Sequence, residues 1–149
     1  VSAALTLGKP EHLAQLLPLC EAFHAEESIA STDETRAAAL SPLLEGSPYG
    51  AVYIIGPVRA PIGYVVICFG WSVEFGGLDA IVDEIYVRPN VRGRGIATEA
   101  LTKLPKALGA FGLRAIHLEV SRENEAAVKL YQRAGFTARD HYMFMSRVL

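Results

Sequence analysis

The spacing of apolar residues along the chain changes character twice. Ala3–Leu7 is a short apolar run. After Pro10–Glu11, the residues Leu13, Leu16, Leu17, Cys20 and Phe23 recur at helical spacing, the stripe of an amphipathic helix. Pro18 lies inside that stripe and predicts a kink or a split. The polar stretch His24–Thr32 reads as a loop. Ser31 or Thr32 then stands where a cap belongs for a second helix, Asp33–Leu44, whose Asp33 and Glu34 suit its positive end.

From Ala51 the period shortens. Ala51–Ile55 and Ile62–Phe69 are rich in β-branched and aromatic residues and flank Gly56–Pro61, which predicts a hairpin. Ala80–Val87 reads as a further strand, entered through the turn at Gly76–Gly77. Helical spacing returns over Gly95–Phe111. A strand (Ala115–Val120), a helix (Asn124–Ala134) and a closing strand near His141–Val148 follow. Hairpins first and a β-loop-α-β-α unit afterwards predict an α/β (α+β) fold, a mixed sheet with helices on its faces.

Composition narrows the class. A length of 149 residues fits one domain spanning 1–149, and 51% hydrophobic against 20% charged residues gives it a core to bury. With 14 Lys+Arg against 16 Asp+Glu, the net charge of −2 argues against a nucleic-acid partner. Two cysteines, Cys20 and Cys68, are too few for a disulfide framework or a Cys-rich zinc site and point to a reducing, cytoplasmic setting. No apolar run approaches the roughly 18 residues of a membrane span. Val1–Leu7 lacks the basic and apolar regions of a signal peptide. The expectation is a soluble cytoplasmic protein with no membrane partner.

The chemistry gathers in Ile85–Ala97. A strand ends, a short loop follows, and Gly93 and Gly95 stand at the mouth of a helix, with Arg88, Arg92 and Arg94 around them. Glycines let backbone N–H groups come close to a ligand, and a helix start adds unpaired donors and partial positive charge, so the segment suits a phosphate or pyrophosphate. The plainer reading is a helix-entry turn with solvated arginines. A P-loop is excluded, since neither glycine precedes Lys. A dinucleotide fold fits poorly, because Thr98 replaces the third glycine and five residues separate Val87 from Gly93.

Arg92-Gly93-Arg94-Gly95-Ile96-Ala97 matches [QR]-x-x-G-x-[GA] at every fixed position, and Asn124–Phe136 matches N-x-x-A-x-x-L-Y-x-x-x-G-F. With both motifs in order and a strand between them, the chain resembles the GNAT family of N-acetyltransferases over nearly its whole length. The resemblance implies a mostly antiparallel sheet of six to seven strands, about four helices, and acetyl-CoA as co-substrate. It implies a donor site made by Ile85, Tyr86, Val87, Arg92, Gly93, Arg94, Gly95, Ile96, Ala97 and Thr98, with Asn124 and Ala127 on the later helix. Tyr131 shares one helix face with Asn124, Ala127 and Val128. It is the implied acid for the departing thiolate, and a core aromatic on the plainer reading. Pro105 departs from a regular helix and predicts a kink past the ligand end.

Acyl transfer to an amine needs a base, and Asp83 and Glu84 precede the donor strand. In a regular strand they face opposite ways, while a bulge would blur that parity. Both stay open as bases. Backbone N–H groups near Tyr86 and Val87 are candidates to stabilise the charge developing on the carbonyl oxygen.

On the acceptor side, His24, Glu27, Trp71, Glu74 and Phe75 are candidates, with Phe23, Glu26 and Asp79 near them in the pattern. Acids and aromatics together suit a cationic amine, and Gly70–Gly77 followed by Asp83–Val87 somewhat resembles the diamine acetyltransferase branch. Nothing in the sequence joins His24, His117 and Cys68, and no His spacing is ligand-like, so no metal is expected. The expected partner is a small-molecule or peptide amine. Family members are often dimers, and the apolar end Tyr142–Leu149 is a candidate strand for a homodimer. The reading from another class is a catalytically silent acyl-CoA-binding domain on the same fold.

Overall fold

The computed structural model describes residues 3–109 and 112–149, so Val1 and the Phe111 end of the expected third helix lie outside the described residues. β1 (Leu5–Leu7) leads through a 3-10 turn at Pro10–His12 into α1 (Leu13–Glu26) and α2 (Asp33–Leu44). β2 (Gly50–Ile55), β3 (Gly63–Ser72) and β4 (Gly77–Val87) follow, then α3 (Ile96–Leu108), β5 (Ala115–Leu118) and α4 (Glu125–Arg133). The strands lie in sequence order, antiparallel from β1 to β4, and β5 joins β4 in parallel.

Each face of the sheet carries a helix pair. Leu16, Leu19 and Cys20 of α1 and Leu40 and Leu44 of α2 pack on Val52, Ile54, Tyr64, Val66 and Tyr86. Ile96, Ala100, Leu101, Leu104 and Leu108 of α3 pack on Ile55, Val65, Ile67, Ala80, Val82 and Val87, with Leu130 and Tyr131 of α4 against them. No described helix is long and apolar enough to cross a membrane.

Three expectations are corrected. His24 lies in α1, not in a loop, because the helix runs through Pro18 to Glu26. An interior proline costs about 3 kcal/mol, whereas burying Leu16, Leu19 and Cys20 returns roughly 1.5–3 kcal/mol for each large apolar side chain. α3 is helical on both sides of Pro105, from Ile96 to Leu108. Its buried residues Leu101, Leu104 and Leu108 bracket the proline and hold that stretch helical. The sheet shows five strands among the described residues, not six or seven, and the closing strand expected near His141–Val148 is absent from them. A strand needs a ladder partner as well as an apolar pattern, and this segment has none. Met143, Phe144 and Met145 are each 70% exposed or more.

The second helix begins as its sequence predicts. Thr32 Oγ1 accepts the Thr35 N–H at 3.2 Å and Thr35 Oγ1 accepts the Thr32 N–H at 2.8 Å, a reciprocal cap.

Candidate active site

β4 carries an irregularity that decides which way its acids point. Val66 of β3 opposes Glu84 and Ile67 opposes Val82, so Asp83 is an extra residue with no partner in the register. It is a β-bulge, and it switches the strand's parity. Before it, Ala80 and Val82 face α3 and α4; after it, Tyr86 faces α1 and α2 while Val87 faces α3. Glu84 falls on the α1–α2 side with Tyr86.

There Glu84 joins a hydrogen-bonded cluster. Tyr64 OH donates to Glu84 Oε1 at 2.7 Å, and His24 Nε2 and Glu84 Oε2 share a hydrogen bond of 2.6 Å. The Cys20 thiol lies 3.7 Å from Glu84 Oε1 and 3.6 Å from His24 Nε2. His24 Nδ1 is 2.8 Å from Ser31 Oγ, which accepts from the buried Arg36 Nη1 at 2.6 Å, and Arg36 Nη2 donates to Asp33 at 2.6 Å. Burial, and then the Glu84 charge, push the Cys20 thiol up to about 11 and raise the Tyr64 phenol far above its ordinary value. A cleft of about 310 Å³ opens onto this cluster between α1, α2 and β4, and Asp83 lines it beside Glu84. The Asp83 pKa is raised by loss of solvation where its carboxyl meets the fold and by Glu84, with His24 opposing. The residue as a whole is exposed, so its carboxylate still meets water.

The other edge of β4 is left open. Its ladder with β5 ends at Val82–Leu118, and beyond that point, among the described residues, Glu84–Val87 have strand neighbours on the β3 side only. By strand alternation Ile85 and Val87 turn their peptide groups to this edge, where Arg92 takes the Val87 carbonyl, while the Tyr86 carbonyl faces β3. Facing this gap is the start of α3. Gly93 and Gly95 sit at φ +77° and +76°, in the left-handed region, and no atom lies within 4 Å of a Cβ added to either. They leave room for a ligand over the N–H groups of Ile96, Ala97 and Thr98.

Arg92 behaves differently from a free phosphate ligand. Its Nε donates to the Val87 carbonyl at 2.7 Å, its Nη2 pairs with Glu26 at 2.6 Å, and its guanidinium lies 5.3 Å from the Tyr86 ring centroid. It ties the end of α1 to the glycine loop. Arg94 is exposed and has no ion pair among the described residues. Asn124 caps α4, its Oδ1 accepting the Ala127 N–H at 3.1 Å. Tyr131 packs edge-on against Phe136, with ring centroids 6.3 Å apart. Burial and then the charge of Glu27 raise its pKa, so the hydroxyl keeps its proton.

The structure divides the expected acceptor residues. His24 sits with Glu84, and Glu27 lies near Tyr131. Trp71, Glu74 and Phe75 gather elsewhere: Glu74 pairs with Arg139 at 2.8 Å, Phe75 stacks on His117 at 5.1 Å, and Trp71 is 75% exposed. Trp71 is five positions along β3 from Val66, the partner of Glu84, or about 17 Å at strand rise. Sequence reasoning missed Cys20, Ser31, Arg36 and Tyr64. The i, i+4 spacing of Cys20 and His24 was the available signal, hidden by ending the helix before His24. Tyr64 needed the strand register, because it sits diagonally opposite Glu84.

Residues 16–136 match the model of the acetyltransferase (GNAT) family. The chain belongs to this family. It is 33% identical over 81 residues to an uncharacterised N-acetyltransferase of Methanocaldococcus jannaschii, covering 54% of this chain and 36% of that protein. It is 37% identical over 68 residues to an acetyltransferase of Pectobacterium atrosepticum, covering 44% and 48%. The chain thus spans half or less of the length of these relatives. Among solved structures, an integron cassette protein from the mobile metagenome of Cole Harbour Salt Marsh superposes with TM-score 0.84 at 28% identity, over 97% of this chain and 90% of that one. AAC(6')-Iy, bound to a CoA-S-monomethyl-acetylneamine bisubstrate analogue, superposes over the whole of both chains with TM-score 0.83 at 18% identity, which is likeness of fold.

Proposed function

We propose that these 149 residues form one cytoplasmic N-acetyltransferase domain that moves an acetyl group from acetyl-CoA to a primary amine by direct attack in a ternary complex. The observation that carries the reading is the bulge at Asp83. It sets Glu84 in the α1–α2 cleft while the same stretch of strand keeps a free edge for the donor.

The residues suit acetyl-CoA. The open glycine turn and the first N–H groups of α3 fit a pyrophosphate, the strand edge at Ile85 and the Val87 N–H fits an amide-bearing arm, and Asn124 and Ala127 of α4 are read as further contacts to the donor. The donor supplies an activated thioester carbonyl. Peptide N–H groups near Tyr86 and Val87 hold the charge that develops on its oxygen. The incoming ammonium meets Asp83 at the cleft mouth and loses its proton to Glu84, directly or through water. His24 and Tyr64 fix the Glu84 carboxylate by the two hydrogen bonds described. Tyr131 gives its proton to the departing thiolate, whose ordinary pKa near 8.5 makes this a modest contribution at neutral pH. Trp71, Glu74 and Phe75 take no part in this reading, since they lie away from the Glu84 cluster.

Free CoA release, measured with polyamines, amino acids and peptide N-termini in turn, tests the activity. Turnover of at least one amine, abolished by heat-denaturing the protein, is expected. Tight acetyl-CoA binding with no turnover on any of them would assign the chain to a silent acyl-CoA-binding role.

A further inference from the structure

Cys20, His24 and Glu84 present one sulfur, one nitrogen and one oxygen atom, all within 4.8 Å of one another, at the inner end of the α1–α2 cleft. The separations can be compared with a tetrahedral zinc centre. Metal–sulfur and metal–nitrogen bonds of about 2.3 and 2.05 Å set S···N and S···O edges of roughly 3.5–3.6 Å. The Cys20 sulfur lies 3.6 Å from His24 Nε2 and 3.7 Å from Glu84 Oε1. Two of the three edges are therefore already at coordination length. His24 Nε2 hydrogen-bonds the other carboxylate oxygen, Oε2, at 2.6 Å, so closing the third edge at about 3.3 Å takes a turn of the carboxylate that breaks this bond.

The surroundings of these atoms are those of a ligand set. Cys20 and His24 are one helical turn apart on the rigid α1, and Glu84 is held by the bulge. The outward nitrogen of His24, Nδ1, lies on Ser31 Oγ at 2.8 Å, the second partner that orients a metal-bound imidazole. Tyr64 OH holds the Glu84 carboxylate at 2.7 Å. A thiolate and a carboxylate neutralise a dication, and the sulfur selects a thiophilic one over magnesium or calcium.

We propose that the Cys20–His24–Glu84 cluster binds a thiophilic divalent cation, zinc above all, through Cys20 Sγ, His24 Nε2 and a Glu84 oxygen. The fourth position faces the cleft. Three bonds form, and with a neutral imidazole one proton, that of the thiol, leaves for solvent while the imidazole carries its own on Nδ1 toward Ser31. Binding stands apart from the acetyltransferase reading. Its consequence rests on that reading: the ion occupies Glu84, so zinc and turnover exclude each other, reversibly.

Cobalt(II) reports on the site without any assay of activity. Tag-free full-length chain is titrated with cobalt(II), followed by zinc. The expected result is a near-ultraviolet sulfur-to-cobalt absorption and intense visible bands of four-coordinate cobalt, saturating at one equivalent and erased by zinc. Cys68→Ser keeps both. Cys20→Ser loses the sulfur band, and His24→Gln, which spares the thiol, weakens cobalt binding at least about 100-fold, since loss of a mere supporting partner costs 10–100-fold. Circular dichroism of each variant confirms that it is folded. A wild-type chain without the sulfur band, or a band that survives in folded Cys20→Ser and disappears in Cys68→Ser, overturns the site. Zinc binding without loss of CoA release would overturn the inhibitory consequence alone, and absence of turnover on every amine would remove the functional reading while leaving the metal site standing.

Discussion

The two sides of β4 after its bulge are built by opposite strategies. On the α1–α2 side, polar side chains from three elements close on one another: Cys20, His24, Tyr64 and Glu84 share hydrogen-bonding contacts at 2.6–3.7 Å, with Ser31 and Arg36 behind them. On the other side the strand edge has no neighbouring strand among the described residues, Arg92 holds the Val87 carbonyl there, and the glycine turn and helix start present N–H groups with few side chains in the way. On the proposed function, the difference follows from what each side would handle. A proton on a carboxylate must be placed within a few tenths of an ångström, which side chains locked by neighbours achieve. A long, flexible donor made of repeating amides and phosphates is better held by main-chain groups, whose positions do not depend on a rotamer. Arg92 links the two, with one end on Glu26 of α1 and the other on the Val87 carbonyl.

Changes confined to one side should break one function and spare the other. Glu84→Gln keeps the shape and removes the base, so kcat should fall by about 10²–10⁴-fold. On the same side, Tyr64→Phe removes the shorter of the two hydrogen bonds to Glu84 Oε1, that of 2.7 Å. The loss of stability should be about 1.5–3 kcal/mol by chemical denaturation, with acetyl-CoA affinity unchanged in the folded protein. On the donor side, Gly95→Ala forces a Cβ into the left-handed region at about 1–2 kcal/mol. That should weaken acetyl-CoA binding by roughly tenfold and leave kcat at saturating donor close to wild type.

Tyr131 gives the comparison a pH axis. A proton donor is competent below its pKa and is lost as pH rises through it. Burial and Glu27 raise this one above the ordinary value of about 10. Wild-type turnover should therefore show no decline from this group up to about pH 10, and Tyr131→Phe should lower kcat by a modest factor of about ten while abolishing any decline beyond. The smallest effect belongs to Trp71→Ala. This exposed residue lies away from both sides, and stability should stay within about 0.5 kcal/mol with kcat/KM unchanged.

Much of this division was legible in the sequence. The two glycines, the helix behind them, and the later helix with Asn124 and Tyr131 are local features, each set by residues within a few positions of one another. The bulge was not legible, because it is a property of two strands: only the pairing of Val66 with Glu84 and Ile67 with Val82 makes Asp83 the extra residue. The same holds for Tyr64, which reaches Glu84 across a strand pair, and for Ser31 and Arg36, which reach His24 through helix packing. His24 itself was misplaced by local reasoning, since the polar run from His24 to Thr32 reads as a loop. Tertiary burial of α1 carries the helix past Pro18 to Glu26. The expected closing strand failed for the converse reason. Its apolar run suits a strand, yet among the described residues the outer edge of the four-residue β5 has no strand beside it in the sheet.

The separation of the two sides is tested most directly by titrating acetyl-CoA into Glu84→Gln and measuring the dissociation constant. The account predicts a value within about twofold of wild type, roughly 0.4 kcal/mol, alongside the collapse in turnover. A donor affinity that falls in step with kcat would show that Glu84 builds the donor site, and would contradict the division of β4 into a proton side and a donor side.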